Sequence, residues 1–179
     1  MTSFLPLSRA IDRLSQAAAA LAAVLGFLSC FISAANAVSR YLFDASSNAW
    51  LEIQWQLFAA TFLLGAPWVL KLNEHVRVDL VYGVLSPRTR LKVDIFGFVI
   101  FFFPFCILML DMTAPWFLRS FWAGEGSSNA GGLPVWPVKA LLPLGFVLLL
   151  LQGMSELIKR IGALRGMPGL VAGYEKPLQ

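Results

Sequence analysis

Four long apolar runs are the feature that most constrains how this chain can fold. They occupy residues 14–38, 50–70, 93–113 and 136–155, with few charged residues inside them. The first run has 25 residues without a charge, which as a helix would measure about 37 Å. The hydrocarbon core of a bilayer is about 30 Å thick. The sequence therefore predicts an all-α membrane protein, with four transmembrane helices in a single membrane domain over residues 1–179.

The composition excludes the main soluble classes. Hydrophobic residues make up 58% of the chain and charged residues 13%, whereas soluble domains average roughly 45–50% apolar and about 25% charged residues. A soluble enzyme of this length would have too few polar side chains to cover its surface. The aromatic content of 13% excludes disorder for most of the chain. The net charge of +4 does not indicate nucleic-acid binding, because the basic residues bracket the apolar runs and form no stripe.

The basic residues predict the orientation of the spans. Eleven of the 14 lysines and arginines lie in the N-terminal segment, the loop at 71–92 and the C-terminal tail. By the positive-inside rule we expect this loop and both termini in the cytoplasm, and the loop at 114–135 on the opposite side of the membrane. Apolar residues at helical spacing in the N-terminal segment, and an apolar stretch at 76–85, predict short amphipathic elements at the interface.

Two acids in the third run set the length of its helix. Asp94 and Asp111 are separated by 16 residues, about 24 Å of helix, which is too short to cross a bilayer. We therefore expect the helix to extend past both acids. Ser86 and Pro87 suit its N-cap and first turn, and Pro104 predicts a kink or a packed neighbour within it.

The sequence contains no recognisable catalytic, cofactor or metal site. His75 is the one histidine, and it lies in the loop at 71–92. No nucleotide-binding, hydrolase or zinc-protease motif occurs. Cys30 and Cys106 each lie inside an apolar run with no second cysteine nearby, which is typical of small buried side chains. We therefore expect no cofactor and no metal.

Glu52 is the acid whose role the sequence leaves open. It lies two residues into the second run, and a carboxylate within a membrane is a candidate proton relay, ion ligand or ion-pair partner. The alternative interpretation places it in the outer headgroup zone, either hydrated or paired with Arg40 or Lys139, where a charge costs less. Two functional alternatives stay open on this basis: a small four-helix membrane enzyme, and a stand-alone exporter that uses Glu52.

An ordered set of residues resembles a known family. The set consists of Arg40-Tyr41-Leu42-Phe43, Trp50, Glu52, Leu64-Gly65-Ala66, His75-Val76-Arg77-Val78-Asp79, Pro87 and Arg90. In this order it resembles the DctQ-like small membrane subunit of tripartite ATP-independent periplasmic (TRAP) transporters, over roughly residues 9–160. The stretch at 75–79, in a loop that we expect in the cytoplasm, is the most specific part of the resemblance.

The resemblance implies a function and a set of partners. Such transporters combine a soluble periplasmic solute-binding protein with a large multi-span permease subunit and a small one. An ion gradient, usually of sodium, drives uptake of an organic acid. The large subunit carries the ion and substrate sites and moves as an elevator, while the small subunit is not an enzyme and braces it among the membrane lipids. Structural or subunit-contact roles are implied for Arg40, Trp50, Glu52, His75, Arg77 and Asp79.

Overall fold

Four long helices make up most of the residues that the computed structural model describes, namely 5–73, 85–167 and 169–170. The helices are α1 (Leu5–Phe43), α2 (Asn48–Leu72), α3 (Pro87–Trp122) and α4 (Trp136–Leu164). Each is long and apolar enough to cross a membrane. Over these described ranges the chain forms no β-strand. The predicted all-α fold with four transmembrane helices is therefore confirmed.

α1 is much longer than the predicted first span. It runs for 39 residues, about 58 Å. The N-terminal amphipathic helix that we expected before the span is not a separate element, because these residues form the first turns of α1. Pro6 lies in the first turn, where a proline is tolerated, and no further glycine or proline occurs before Gly26. The helix therefore continues without a break until Asp44, which adopts a left-handed φ of 51°.

Two serines cap the starts of α2 and α3. The Ser47 hydroxyl accepts a hydrogen bond from the Ala49 N–H at 3.2 Å, and the Ser86 hydroxyl accepts one from the Thr89 N–H at 3.3 Å. Such bonds satisfy donors that have no partner within the helix itself. Pro87 occupies the first turn of α3, so the predicted start of the third helix is confirmed.

α3 contains one turn of π-helix at Phe98–Phe102. Pro104 follows this turn, has no N–H to donate, and crowds the turn before it. The Phe103 N–H bonds to a carbonyl five residues back, so the wider turn accommodates the proline within a continuous helix. The expected irregularity at Pro104 is confirmed. The expected extension of this helix past Asp94 and Asp111 is confirmed as well.

α1, α2 and α4 pack together, and α3 lies along α4. The buried residues of α1 recur mainly at a spacing of seven, so they lie on one narrow face, and this face packs against the neighbouring helices. In the middle of the bundle, Ala22 of α1 packs with Leu64 of α2 and Leu148 of α4. The buried residues of α1 at this spacing are Ser8, Ser15, Ala22, Ser29 and Asn36.

Two glycines allow the backbone of α4 to approach its neighbours closely. A Cβ atom at Gly145 would lie 3.2 Å from the carbonyl oxygen of Leu63 on α2. A Cβ atom at Gly153 would lie only 2.3 Å from a ring carbon of Phe102, inside the π-helical turn of α3. The contact between α3 and α4 therefore depends on the absence of a side chain at Gly153.

We predict that Gly153→Ala destabilises the protein by about 1–3 kcal/mol, because the added methyl group forces the Phe102 ring away from α4. Thermal unfolding in a mild detergent, followed by circular dichroism, measures the effect. Gly97→Ala on α3 is the matched control, since a Cβ atom there meets no atom within 4 Å. The control should be neutral or stabilising by up to about 1 kcal/mol, and equal melting temperatures for the two variants would contradict the packing described here.

Candidate functional site

Glu52 binds residues 123–135, which join α3 to α4 and which we call the connecting segment. It lies in the first turns of α2 and is only 3% exposed. Its Oε1 atom accepts hydrogen bonds from the Ser127 hydroxyl and from Asn129 Nδ2, the latter at 2.7 Å. Its Oε2 atom accepts one from the Leu133 N–H at 2.6 Å. Both carboxylate oxygens are therefore occupied by uncharged donors from a single connecting segment.

The connecting segment is shaped to fit over this carboxylate. Gly124 and Gly131 adopt φ values of 57° and 69°, which a side chain would disfavour. A Cβ atom at Gly132 would lie 2.8 Å from Glu52 Oε1, so only glycine allows the backbone to come so close. Just before Gly131 and Gly132, the Ala130 carbonyl accepts a hydrogen bond from Asn48 Nδ2 of α2 at 3.0 Å.

A second contact binds the connecting segment to α4. Lys139, near the start of α4, forms an ion pair with Glu125 and lies 4.3 Å above the ring centroid of Trp116 on α3. The Lys139 ammonium group lowers the pKa of the Glu125 carboxyl below its ordinary value. The pairing of Glu52 with Arg40 or Lys139 that we considered from the sequence is wrong, because the connecting segment supplies the partners of Glu52 and Lys139 pairs with Glu125.

The remaining sequence-predicted residues fall into two groups. Arg40 is exposed and Trp50 is 48% exposed. They lie beside two adjoining concavities at the turn between α1 and α2. His75, Arg77 and Asp79 lie outside the described residues, so their implied structural or contact roles stay predictions.

The opposite end of the bundle holds a buried arginine that the sequence interpretation missed. Arg160 of α4 is 2% exposed. Its guanidinium donates to Glu156 Oε2 at 2.6 Å and to Asp94 Oδ2 of α3 at 3.0 Å. It also reaches Asn73 Oδ1, just after α2, at 3.5 Å, and lies 4.9 Å from the ring centroid of Phe98. One side chain of α4 thus contacts both α3 and the end of α2.

Asp12 connects α1 to the same cluster. Its carboxylate accepts hydrogen bonds from Lys159 Nζ at 2.9 Å, from Gln152 Nε2 at 3.0 Å and from the Ser155 hydroxyl at 2.9 Å. Lys159 in turn donates to Glu156 at 2.8 Å. The two ion-pair systems of Asp12 and Arg160 therefore share Glu156, and this Arg160 cluster links all four helices.

Two hydroxyl contacts extend the link between α1 and α4. Ser8 and Ser155 hydroxyls lie 2.7 Å apart, and the Ser15 hydroxyl donates to Gln152 Oε1 at 2.7 Å. A signal for these contacts was present in the sequence. Polar residues recur on α1 at the same seven-residue spacing as its buried face, and those of α4 recur three or four residues apart.

Two sets of polar contacts hold the helices in place: the contacts of Glu52 with the connecting segment, and the Arg160 cluster. We call these two sets the polar locks. Donors from another helix or from the connecting segment hold Glu52, Asp12 and Asp94. Glu156 is held by Lys159 and Arg160 of its own helix. Among the residues that the structure describes, no group of three or more His, Cys, Asp or Glu side chains is arranged to hold a metal ion. The arrangement thus supports fixed helix positions at both ends of the bundle.

We predict that Arg160→Ala lowers the free energy of unfolding by about 3–5 kcal/mol, since it leaves the buried Glu156 and the partly buried Asp94 without their shared cation. Unfolding by increasing amounts of denaturing detergent, followed by circular dichroism, measures the loss. Arg9→Ala removes an exposed arginine at the same end of the bundle and should change stability by less than about 0.5 kcal/mol. Similar small effects of both variants would contradict the role given to Arg160.

We predict that Glu52→Gln loosens the connecting segment, because an amide cannot accept bonds at both positions and would place a donor against the Leu133 N–H or the Ser127 and Asn129 donors. Hydrogen–deuterium exchange of the 126–134 peptide should become faster. Glu125→Gln, the same change in a more exposed ion pair, should have the smaller effect. An exchange rate that stays at the wild-type value in Glu52→Gln would contradict the conclusion that Glu52 holds the connecting segment in place.

The resemblance noted in the sequence is confirmed by comparison with known families. A family profile described as "Tripartite ATP-independent periplasmic transporters, DctQ component" matches residues 29–163. This match covers α2 and α3 completely, α4 up to its penultimate residue, and the last 15 residues of α1. A comparison with curated proteins gave no match. The chain belongs to the DctQ family, the small membrane component of TRAP transporters.

Proposed function

We propose that this chain is the non-catalytic small permease subunit that braces the large elevator subunit of a TRAP transporter. In this proposal a periplasmic binding protein delivers an organic acid, and an ion gradient drives its uptake across a bacterial inner membrane, with both termini of this chain in the cytoplasm. The family membership supports a role as one component of a three-part transporter. The locks at both ends of the bundle suit a part that must hold its shape while a partner moves.

One face of α1 is the observation that carries the bracing role. Every position of a second seven-residue pattern on this helix is apolar and exposed, and none of these residues belongs to the buried core. A spacing of three and four residues repeated over a long helix is typical of a surface that packs along another helix. We call this surface the α1 stripe. It consists of Leu7, Ala10, Leu14, Ala17, Leu21, Val24, Leu28, Phe31, Ala35, Val38 and Leu42.

The length of the α1 stripe favours a protein partner over lipid. From Leu7 to Leu42 the stripe extends about 52 Å, whereas the hydrocarbon core is about 30 Å thick. Arg9 and Arg13 lie near one end and Arg40 near the other, which places both ends of the stripe at or beyond the headgroups. Exposed leucines there would gain from burial against a protein at roughly 25 cal/mol per Å². A long, tilted helix of the large subunit would provide this burial.

The environment of Glu52 supports the brace over a stand-alone exporter that uses this residue. An exporter that used Glu52 would need the carboxylate to exchange partners with a solute or an ion. In the chain as folded, both of its oxygens accept bonds from the segment between α3 and α4. A structural role for Glu52 is therefore part of the proposal, and so is the absence of an enzymatic activity.

We predict that the double variant Ala10→Leu with Ala17→Leu loses most of its association with the large subunit, because the larger side chains prevent close packing at the small positions of the α1 stripe. Lipid accommodates either side chain, so the isolated chain should keep its stability. Co-purification of the coexpressed large subunit in mild detergent measures association, and we expect recovery at least about tenfold below wild type.

Ala23→Leu with Ala37→Leu is the matched control. Both residues are exposed on α1 but lie outside the α1 stripe, and the changes in volume and helix propensity are the same. The control should recover the large subunit at the wild-type level. Full recovery with both double variants would contradict the α1 stripe as the contact surface, and failure of the wild-type chain to recover any large subunit would contradict the bracing role itself.

A further inference from the structure

Two adjoining concavities lie at the turn between α1 and α2. One has a volume of about 370 Å³ and is lined by Asn36, Ser39 and Trp50 among others. The second has a volume of about 450 Å³ and includes Arg40 and Asn48 in its lining. Ser46 and Ser47 line both, so the two form a continuous surface that we call the α1–α2 notch. Its lining combines hydroxyl and amide side chains, a tryptophan and one cation with the apolar residues Ala35, Ala45, Leu51 and Ala130.

Asn36 presents an unused donor to the notch. The residue is 8% exposed, and its Oδ1 atom accepts a hydrogen bond from the Ser46 hydroxyl at 3.4 Å. Among the residues that the structure describes, its Nδ2 group has no acceptor. Among the described residues, this atom is not one of the fully buried side-chain atoms that lack a partner, so it is open to the notch and can donate to a ligand there. The side chain thus favours a ligand that brings oxygen acceptors.

Arg40 supplies a positive charge at the same surface. It is exposed, and within the described part of the chain its guanidinium forms no ion pair, including with Asp44, four residues further along. Trp50 is the half-exposed aromatic wall. A guanidinium offers planar paired donors, which suit a carboxylate or a phosphate.

The start of α2 adds donors of the same kind. The Ser47 hydroxyl oxygen accepts a hydrogen bond from the Ala49 N–H, so its own proton is available to a ligand. The first N–H groups of a helix carry a partial positive charge and favour anions. Asn36 thus offers a donor in the first concavity, Arg40 in the second, and Ser47 lies between them in the lining of both. Glu52 is occupied by the connecting segment.

We propose that the α1–α2 notch binds an oxyanion through Asn36, Arg40 and Ser47. The ligand is a carboxylate or a phosphate group. Two sources present this chemistry at the position of the notch: a free organic acid, and the phosphate of a phospholipid headgroup. The first source rests on the proposed function as a transporter component, and the binding chemistry itself does not.

Titration of the purified wild-type chain tests the proposal. The chain is kept in a nonionic, phosphate-free detergent, and binding is measured by calorimetry with inorganic phosphate, with succinate, and with dioleoylphosphatidylglycerol in mixed micelles. Dioleoylglycerol, which lacks the phosphate, is the control lipid. Binding of phosphate or succinate indicates a free anion, and binding of the phospholipid alone indicates a headgroup. Either result supports an oxyanion site. The proposal is overturned if none of the three probes binds. It is also overturned if the two lipids bind equally and neither phosphate nor succinate binds.

Variants locate the site. Arg40→Gln and Asn36→Ala should each weaken binding of the active probe by about tenfold or more. Arg119→Gln removes an exposed arginine at the same end of the bundle but outside the notch, and it should leave binding unchanged. Since Arg40 is exposed, its variant should keep the wild-type circular dichroism even if Asn36→Ala unfolds. Equal loss in Arg40→Gln and Arg119→Gln would overturn the proposal, and recovery of the large subunit by the wild-type chain reports on the proposed function separately.

Discussion

The buried guanidinium of Arg160 is the contact on which the arrangement of the four helices depends. Apolar helices gain little from packing against each other in a bilayer, because lipid tails are as apolar as leucine. Their relative positions must therefore be set by close packing and by polar contacts. Arg160 reaches α3 through Asp94 and the end of α2 through Asn73, and its partner Glu156 joins the contacts of α1 through Lys159 and Asp12.

The opposite end is held by different chemistry with the same result. Glu52 on α2 binds the connection between α3 and α4 through neutral donors, and Lys139 binds it through Glu125. A bundle closed by polar locks at both ends can keep its shape under load, and the α1 stripe offers a long apolar surface to a partner. In the proposed transporter these features give a rigid part beside a moving one, which agrees with membership of the DctQ family.

The sequence predicted the number of helices, the caps at Ser86 and Pro87, and the irregularity at Pro104, because each depends on local pattern and backbone chemistry. It did not predict the partners of Glu52 or the pairing of Arg160 with Asp94, since these partners lie 66 to 81 positions away in the chain. The basic residues were interpreted as flanks that bracket the apolar runs, although α4 buries Lys139 and Arg160. The extension of α1 was missed because Arg9, Asp12 and Arg13 were taken to lie outside the first span.

Reconstituted uptake is the most direct test of the central claim, that this chain braces a carrier and carries no solute itself. Liposomes would contain this chain alone, the large permease subunit alone, or both, with the periplasmic binding protein, a labelled organic acid and an imposed ion gradient. The account predicts accumulation only when both membrane subunits are present, and none with this chain alone. Gradient-driven accumulation by liposomes that contain only this chain would contradict it.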